Sequence, residues 1–261
     1  MIKEYKEMFP KFIEEKRGLI LSNDIDSLFS CYILNKINGS NITHFYDFKH
    51  IYDLNNDYNK DKLIGVDIDF VEYPCWGNHT TYNYNSKCAN INNLLRIGIN
   101  TNYTNKFCVS TLLTIISYFN YNISHLNEEQ KQVLLCIDST YKGYRFNKKL
   151  FSQYMIDFGL EELLDTIENT SINTFKYIIN KYNLNGNIKV KDGQLVTDIK
   201  LGKLSKLFNI DLSLPINENI EIINTFKTKY IKIWDYYEFK QNNAIISQAQ
   251  TYRDSISLTY R

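Results

Sequence analysis

The chain has 261 residues, of which 44% are hydrophobic, so it is long enough to bury one large core or two small ones. Its net charge of +1 gives no overall basic field for nucleic acid, so any such contact has to be local. The charged N-terminus is not a secretory signal, no apolar run could cross a bilayer, and the five cysteines lack the spacing of zinc or disulfide frameworks. We therefore expect a cytoplasmic protein with no membrane contact.

Short apolar runs alternate with helical patterns in the first half of the chain. We expect helices over residues 3–16, 27–37 and 110–118, and strands over residues 19–22, 42–48 and 63–66. Residues 55–61 are predicted to form a polar loop, and the apolar run Val133–Ile137, which ends in Asp138, is interpreted as a further strand. This alternation predicts an α/β fold with a mainly parallel sheet flanked by helices.

The pattern changes after about residue 150. Residues 151–182 look helical, residues 188–199 alternate around Asp192-Gly193 as in a β-hairpin, and residues 220–237 are apolar and aromatic. We place a domain boundary here, with an α/β domain over residues 1–150. Residues 151–261 are expected to form a helical linker and a small α+β domain for substrate binding or interaction, with oligomerisation left open.

Acidic residues follow apolar runs at three places in the chain. They are Asp24 with Asp26, Asp67 with Asp69, and Asp138. Because parallel strands end at one edge of a sheet, we expect these carboxylates to meet there. His79 lies between the second and third places, in the turn-like segment Trp76-Gly77-Asn78-His79-Thr80. Carboxylates with one imidazole predict a divalent-metal site that suits manganese or magnesium better than zinc.

Each of these residues also has a simpler interpretation when taken alone. An aspartate after a strand is typical of a helix cap or a turn, so Asp24 or Ser27 could cap the helix that follows. Asp69 is more typical of a turn than of a metal ligand, and His79 of a solvated loop. The metal hypothesis depends on three acidic junctions and one histidine recurring in this order.

The order of these residues resembles the DHH phosphoesterase superfamily, which includes RecJ-type exonucleases, oligoribonucleases, cyclic-dinucleotide phosphodiesterases and manganese pyrophosphatases. Its first motif, a strand followed by D-x-D, is similar to the segment Asp24-Ile25-Asp26-Ser27. Its second motif is similar to Ile64-Gly65-Val66-Asp67, and its fourth, an apolar strand ending in Asp, to Ile137-Asp138-Ser139. The resemblance covers roughly residues 18–145 and implies the same fold.

The chain departs from the family at the D-H-H motif. In one register Asn78 replaces the metal-binding histidine and His79 faces the substrate. In the other, which we prefer, His79 is the ligand, Asn78 replaces the aspartate and Thr80 replaces the second histidine. Ile20 also stands where many members have a histidine, and the C-terminal third lacks the family's glycine-rich substrate motif, so the substrate cannot be carried over.

The resemblance implies a phosphoesterase that uses one or two Mn²⁺ or Mg²⁺ ions to activate water against a phosphodiester. Asp67 and His79 would be catalytic residues, and the substrate would be a nucleotide or single-stranded nucleic acid. The implied metal ligands are Asp24, Asp26, Asp67, His79 and Asp138. The candidate phosphate or substrate contacts are Ser27, Asn78, Thr80, Lys142 and Arg145.

Two other functions remain open at this point. With Asn78 in the D-H-H position, the fold could bind a nucleotide, a nucleic acid or a protein without hydrolysing it. An apolar-Asp-x-Asp segment also opens the fold of phosphatases with an aspartyl nucleophile, in which Asp24 would attack phosphorus. That alternative leaves the His79 segment without a role.

Overall fold

A computed structural model describes residues 1–54, 62–98, 103–216 and 220–261. Among these residues, seven strands form a central sheet in the order β6 (Cys88–Ala89), β5 (Cys75–Trp76), β4 (Leu63–Val66), β1 (Gly18–Leu21), β2 (Asn41–Tyr46), β3 (His50–Asp53) and β9 (Glu221–Thr225). Strands β6, β5, β4, β1 and β2 run parallel, and β3 pairs antiparallel with both β2 and β9. The mixed α/β class with a mainly parallel sheet is thereby confirmed, while the loop predicted over residues 55–61 lies outside the described part of the chain.

The strands and helices are short, and most helices begin at a side-chain cap. The strands are β1 Gly18–Leu21, β2 Asn41–Tyr46, β3 His50–Asp53, β4 Leu63–Val66, β5 Cys75–Trp76, β6 Cys88–Ala89, β7 Ile188–Lys191, β8 Gln194–Thr197, β9 Glu221–Thr225, β10 Lys227–Lys232, β11 Ile245–Tyr252 and β12 Ser255–Tyr260. The helices are α1 Lys3–Met8, α2 Ile25–Asn38, α3 Ile91–Leu94, α4 Thr111–Tyr118, α5 Glu128–Cys136, α6 Tyr141–Phe146, α7 Lys148–Asp157, α8 Glu162–Asn169, α9 Ile172–Tyr182, α10 Leu201–Phe208 and α11 Tyr236–Asn242.

Two of the predicted elements are wrong. The run Val133–Ile137 is not a strand: residues up to Cys136 complete helix α5, and a 3₁₀ turn follows over Ile137–Ser139. The helix expected over residues 3–16 is divided into α1 and a 3₁₀ turn, because Pro10 lacks the N–H that a continuous helix needs.

The main core crosses the boundary that we predicted near residue 150. One cluster of buried side chains extends from Phe9 to Leu212 along the sequence. Tyr141 stacks on Phe175 at a ring distance of 4.4 Å, which joins α6 to α9. Strand β9, although late in the chain, is an edge strand of the central sheet.

The C-terminal strands β10, β12 and β11 form a small antiparallel sheet that packs against the central one. The Tyr46 hydroxyl lies 3.0 Å from Ser247 Oγ, and isolated bridges join Phe70 to Ser247 and Thr80 to Gln250. The predicted hairpin around Asp192-Gly193 is present as β7 and β8. No helix in the described ranges is both long and apolar enough to cross a bilayer.

Candidate active site

The neighbouring strands β1 and β4 end level with each other, with Leu21 opposite Val66. Ser27 fixes this arrangement, because its hydroxyl accepts a bond from Ser22 N at 2.8 Å and donates one to Val66 O at 2.7 Å. Ser27 is fully buried and lies between the strand ends. The phosphate contact that we predicted for Ser27 is therefore corrected to a structural role.

Asp24 follows β1 and lies partly buried at the start of helix α2. It is the N-cap residue, and its carboxylate accepts the Ser27 N–H at 3.1 Å. The helix ends at Gly39, whose φ of 73° gives the left-handed conformation that favours glycine at this position. The simpler interpretation of Asp24 as a cap is thus correct, and it fixes the carboxylate at the end of the strand.

Asp26 joins the first strand junction to helix α4. Its side chain is 2% exposed and accepts the backbone N–H groups of Thr111 and Leu112, each at 2.8 Å. A carboxylate at a helix N-terminus satisfies N–H groups that have no partner within the helix. Asp26 therefore has a structural role that the sequence did not predict, and its role as a metal ligand stays a prediction.

Asp67 and Asp138 approach the same place from β4 and from the end of α5. Asp67 Oδ1 accepts the Thr111 hydroxyl at 2.7 Å, and Asp138 Oδ2 accepts the Asn78 amide at 2.6 Å. Both aspartates have positive φ, 58° and 47°, and Ser139 follows at 56°. Aspartate adopts left-handed backbone more readily than most residues, so the positive φ at Asp67 and Asp138 is suited to the residue type, whereas Ser139 is a less usual residue for this conformation.

The acids repel one another. Burial raises the pKa of Asp24, Asp26 and Asp67, and Asp138 raises each of them further. Hydrogen bonds from Ser27, Leu112 and Thr111 oppose these shifts without cancelling them. Carboxylates held this close favour either a shared proton or a cation between them.

His79 is oriented by a buried carboxylate that we had expected to be a turn residue. Asp69 is 4% exposed, and its Oδ2 lies 3.1 Å from His79 Nδ1 and accepts the His79 N–H at 3.2 Å. Its Oδ1 accepts the Asn90 amide at 2.6 Å, and Asn90 also donates to His79 O at 2.7 Å. With Nδ1 held in this way, Nε2 is the nitrogen presented for coordination.

The same carboxylate explains Gly77 and the raised pKa of His79. A Cβ at position 77 would lie 2.1 Å from Asp69 Oδ1, so that only glycine allows the chain past this side chain. Burial lowers the pKa of His79, but the hydrogen bond and charge of Asp69, together with Asp138, raise it overall.

Asn78 and Thr80 flank His79 and point in different directions. Asn78 donates to Asp138 and to Val109 O, whereas its Oδ1 is buried and accepts no hydrogen bond. Thr80 is fully buried, and its hydroxyl donates to Gln250 Oε1 at 2.9 Å. The substrate contact predicted for Thr80 is therefore corrected to a contact with the small C-terminal sheet.

A cavity of about 480 Å³ opens directly beside His79 and Asp138. Asn78 and Lys142 line it, whereas Arg145 is exposed outside the lining. Lys106 lines it as well, partly buried, with Nζ 2.9 Å from the Tyr103 hydroxyl. A separate cavity of about 260 Å³ lies between α2, β2 and residues 211–215, and none of the predicted site residues lines it.

The donor chemistry of the acids and His79 fits a divalent cation. Carboxylate oxygens and a neutral imidazole are ligands of Mn²⁺, and the buried Oδ1 of Asn78 is an acceptor that lacks a positive partner beside Asp138. Across the described ranges, however, no three or more His, Cys, Asp or Glu side chains already converge into a group able to hold an ion. The donors are present at one edge of the sheet but are not assembled around an ion.

Sequence reasoning missed three residues of this site, namely Asp69 as a positioning group, Asn90 and Lys106. Asn90 opens helix α3 as an N-cap, a role for which asparagine is a usual signal. Its second contact with Asp69, and the position of Lys106, depend on tertiary packing and have no local signal.

In comparisons with known proteins, no family model, no curated protein and no solved structure matches the chain.

Proposed function

We propose that this protein is a divalent-metal-dependent phosphoesterase of the DHH type that acts on a nucleotide or a short single-stranded nucleic acid. The main support is that Asp24, Asp67, Asp138 and His79 approach one sheet edge from separate segments. Asp138 and His79 line a cavity together with Lys106 and Lys142, so an acidic group and basic groups face one space. Metal ligands next to cations are what hydrolysis of a phosphate ester needs.

The residues of the chain have separate roles in this proposal. Asp24, Asp67, Asp138 and His79 Nε2 would hold Mn²⁺ or Mg²⁺. A bound cation would supply activation of water and neutralisation of charge on the phosphate. Asp69 keeps the His79 ring in one orientation, as carboxylates behind metal-binding histidines commonly do.

Two lysine side chains that line the cavity would bind the phosphate group of the substrate. Lys142 is exposed and Lys106 is partly buried, and both line the space outside Asp138. Their positive charge would draw a phosphate group toward the acids and offset the repulsion that carboxylates exert on it. Phosphate would thus be bound between a cation and lysine side chains.

Hydrolysis of bis-p-nitrophenyl phosphate tests this function, measured with Mn²⁺ and with EDTA. We expect hydrolysis that requires Mn²⁺ and falls to background in Asp67→Asn, a change that keeps a residue tolerant of positive φ. The matched control is Asp192→Asn, an exposed hairpin aspartate with a φ of 51°. Activity that survives EDTA or the loss of Asp67 would contradict the proposal.

A binding function without hydrolysis is the second candidate, and one contact favours it. The Asn78 amide lies 2.6 Å from Asp138 Oδ2 and therefore occupies an oxygen that a metal would otherwise use. Thermal stabilisation by a nucleotide in EDTA, with none by Mn²⁺ and no hydrolysis, would favour this candidate.

A further inference from the structure

The cavity beside His79 has a fixed wall contributed by the end of the chain. Gln250 N donates to Thr80 O at 3.0 Å, and the Tyr103 hydroxyl donates to Thr251 O at 3.1 Å. These bonds hold the tip of the β11–β12 hairpin against the segment of Thr80 and against the segment that carries Lys106. Tyr252, the last residue of β11, therefore lines the same cavity as Asp138.

Two aromatic rings line this cavity while remaining open to solvent. Phe146 at the end of α6 is 67% exposed, and Tyr252 is 66% exposed. They belong to elements far apart in the sequence, so their common position is a result of the fold. Exposed aromatic side chains in a cavity are typical of surfaces that stack on flat rings.

Lys106 and Lys142 place positive charge in the same cavity. Burial lowers the pKa of Lys106, but the Tyr103 hydroxyl, Cys108 and Asp138 raise it overall, so the side chain stays charged. Lys106 Nζ also lies 4.6 Å from the centre of the Tyr103 ring, which fixes its direction. Cations and aromatic rings around one space match a ligand that carries both a phosphate and a base.

We propose that Lys106, Lys142, Phe146 and Tyr252 form a nucleoside monophosphate subsite. The lysines would bind the phosphate, and the base would stack on Tyr252, with Phe146 lining the same space. This inference rests on the proposed function and specifies its substrate as a nucleotidyl phosphodiester rather than pyrophosphate or a simple phosphate ester. A volume of about 480 Å³ is within the range of small-ligand cavities.

Binding of AMP and of inorganic phosphate, measured by calorimetry in EDTA and again with Mn²⁺, tests the subsite. We expect Tyr252→Ala to weaken AMP binding about tenfold and to leave phosphate binding unchanged, because stacking involves only the base. Tyr177→Ala is the matched control, since Tyr177 is 61% exposed on helix α9, outside the cavity.

Lysine variants test the phosphate half of the subsite. Lys106→Gln should weaken the binding of AMP and the binding of phosphate by about tenfold each, because a charge-assisted hydrogen bond is lost in both complexes. Lys106→Arg should restore most of this binding, and Lys176→Gln, an exposed change on α9, should have no effect. Thermal unfolding of each variant shows whether it is folded.

Three results would overturn the subsite. They are AMP binding within twofold of wild type in Tyr252→Ala, phosphate binding as tight as AMP binding, and no AMP binding up to about 10 mM in either buffer. AMP binding in EDTA that depends on Tyr252, without hydrolysis of bis-p-nitrophenyl phosphate, would support the subsite and contradict the phosphoesterase function. Mn²⁺-dependent hydrolysis, with AMP binding unchanged in Tyr252→Ala, would support the phosphoesterase function and contradict the subsite.

Discussion

Five aspartates border the acidic crevice at the ends of strands β1 and β4, and the buried ones differ from those that border solvent in what holds them. We call Asp26 and Asp69 the floor, because both are buried and each accepts several hydrogen bonds from the protein. We call Asp24, Asp67 and Asp138 the rim, because they border solvent and each is held by a neighbouring donor. Each floor acid accepts at least two N–H groups, although Asp24 and Asp138 also repel Asp26. On the rim, Asp138 repels both Asp24 and Asp67.

We expect this difference to separate acids that stabilise the fold from acids that bind a ligand. A buried carboxylate is tolerated when donors surround it, and removing it leaves those donors without partners. Carboxylates that face each other destabilise the fold until a cation lies between them. The floor should therefore contribute to stability, and the rim should reduce stability in return for ligand binding.

Removing a floor carboxylate should lower the stability of the protein more than any other change considered. Asp69→Ala leaves the Asn90 amide and His79 N–H without their acceptor, and we expect a loss of about 3 kcal/mol in the free energy of unfolding. Asp165→Ala, on the exposed face of α8, should stay within about 0.5 kcal/mol of wild type. Urea unfolding measures both, and equal small losses would show that the floor is not structural.

Gly77→Ala tests how closely the chain passes the floor. The added Cβ would meet Asp69 Oδ1, and we expect a loss of about 2 kcal/mol because neither group can move freely. At Gly202 in α10 a Cβ meets nothing within 4 Å, so Gly202→Ala should stabilise the protein by about 0.5–1 kcal/mol. Stabilisation of the protein by Gly77→Ala as well would show that Asp69 does not pack against position 77.

Removing a rim carboxylate should raise the free energy of unfolding rather than lower it. In EDTA at neutral pH, Asp67→Asn should stabilise the protein by about 1 kcal/mol, because it removes a repelling charge while an amide oxygen can still accept the Thr111 hydroxyl. Since folding raises the pKa of Asp67, its ionised form disfavours the fold at high pH.

The gain from Asp67→Asn should therefore shrink as the pH falls through the raised pKa, where the wild-type side chain becomes neutral. Asp192→Asn, with a similar φ but no neighbouring acids in the crevice, should show no gain at either pH. Thermal unfolding from pH 8 down to pH 4 measures both variants. A loss of stability in Asp67→Asn at neutral pH would contradict the contrast between rim and floor.

The smallest change in stability is expected at Glu129, which already forms an ion pair with Lys181. The hydrogen bond from Lys181 lowers the pKa of Glu129, burial opposes it, and Tyr182 lowers it further. The stabilisation is therefore present above the usual glutamate pKa and is lost as the pH falls through the lowered value. We expect Glu129→Gln to cost less than about 1 kcal/mol at pH 7, because the pair is partly solvated. A loss that persisted at pH 3 would contradict this cause.

The sequence patterns correctly predicted where strands β1 and β4 end, but they predicted a strand before Asp138 where the structure has helix α5. Leu63–Val66 matches its predicted strand, and Asp24 and Asp67 follow their strands as expected. The run Val133–Ile137 is too short for its period to distinguish a strand from a buried helix. The capping box of Asn127 and Gln130 starts helix α5, and that helix continues through the apolar run.

The remainder of the site depends on contacts that no local pattern encodes. Asp69 is a positioning group only because Asn90 and His79 meet it in the folded chain. Tyr252 reaches the cavity because residues near positions 80 and 103 bind its hairpin. Residue order therefore indicated the acids as candidates, and only the structure identified the groups that orient His79 and line the space beside it.

Direct titration of Mn²⁺, followed by loss of the free-ion electron paramagnetic resonance signal, tests the central claim that the rim acids bind a cation. We expect wild type and Asp192→Asn to bind Mn²⁺, and we expect the folded double variant Asp67→Asn with Asp138→Asn not to bind it. Equal binding in the double variant, or no binding in folded wild type, would contradict it.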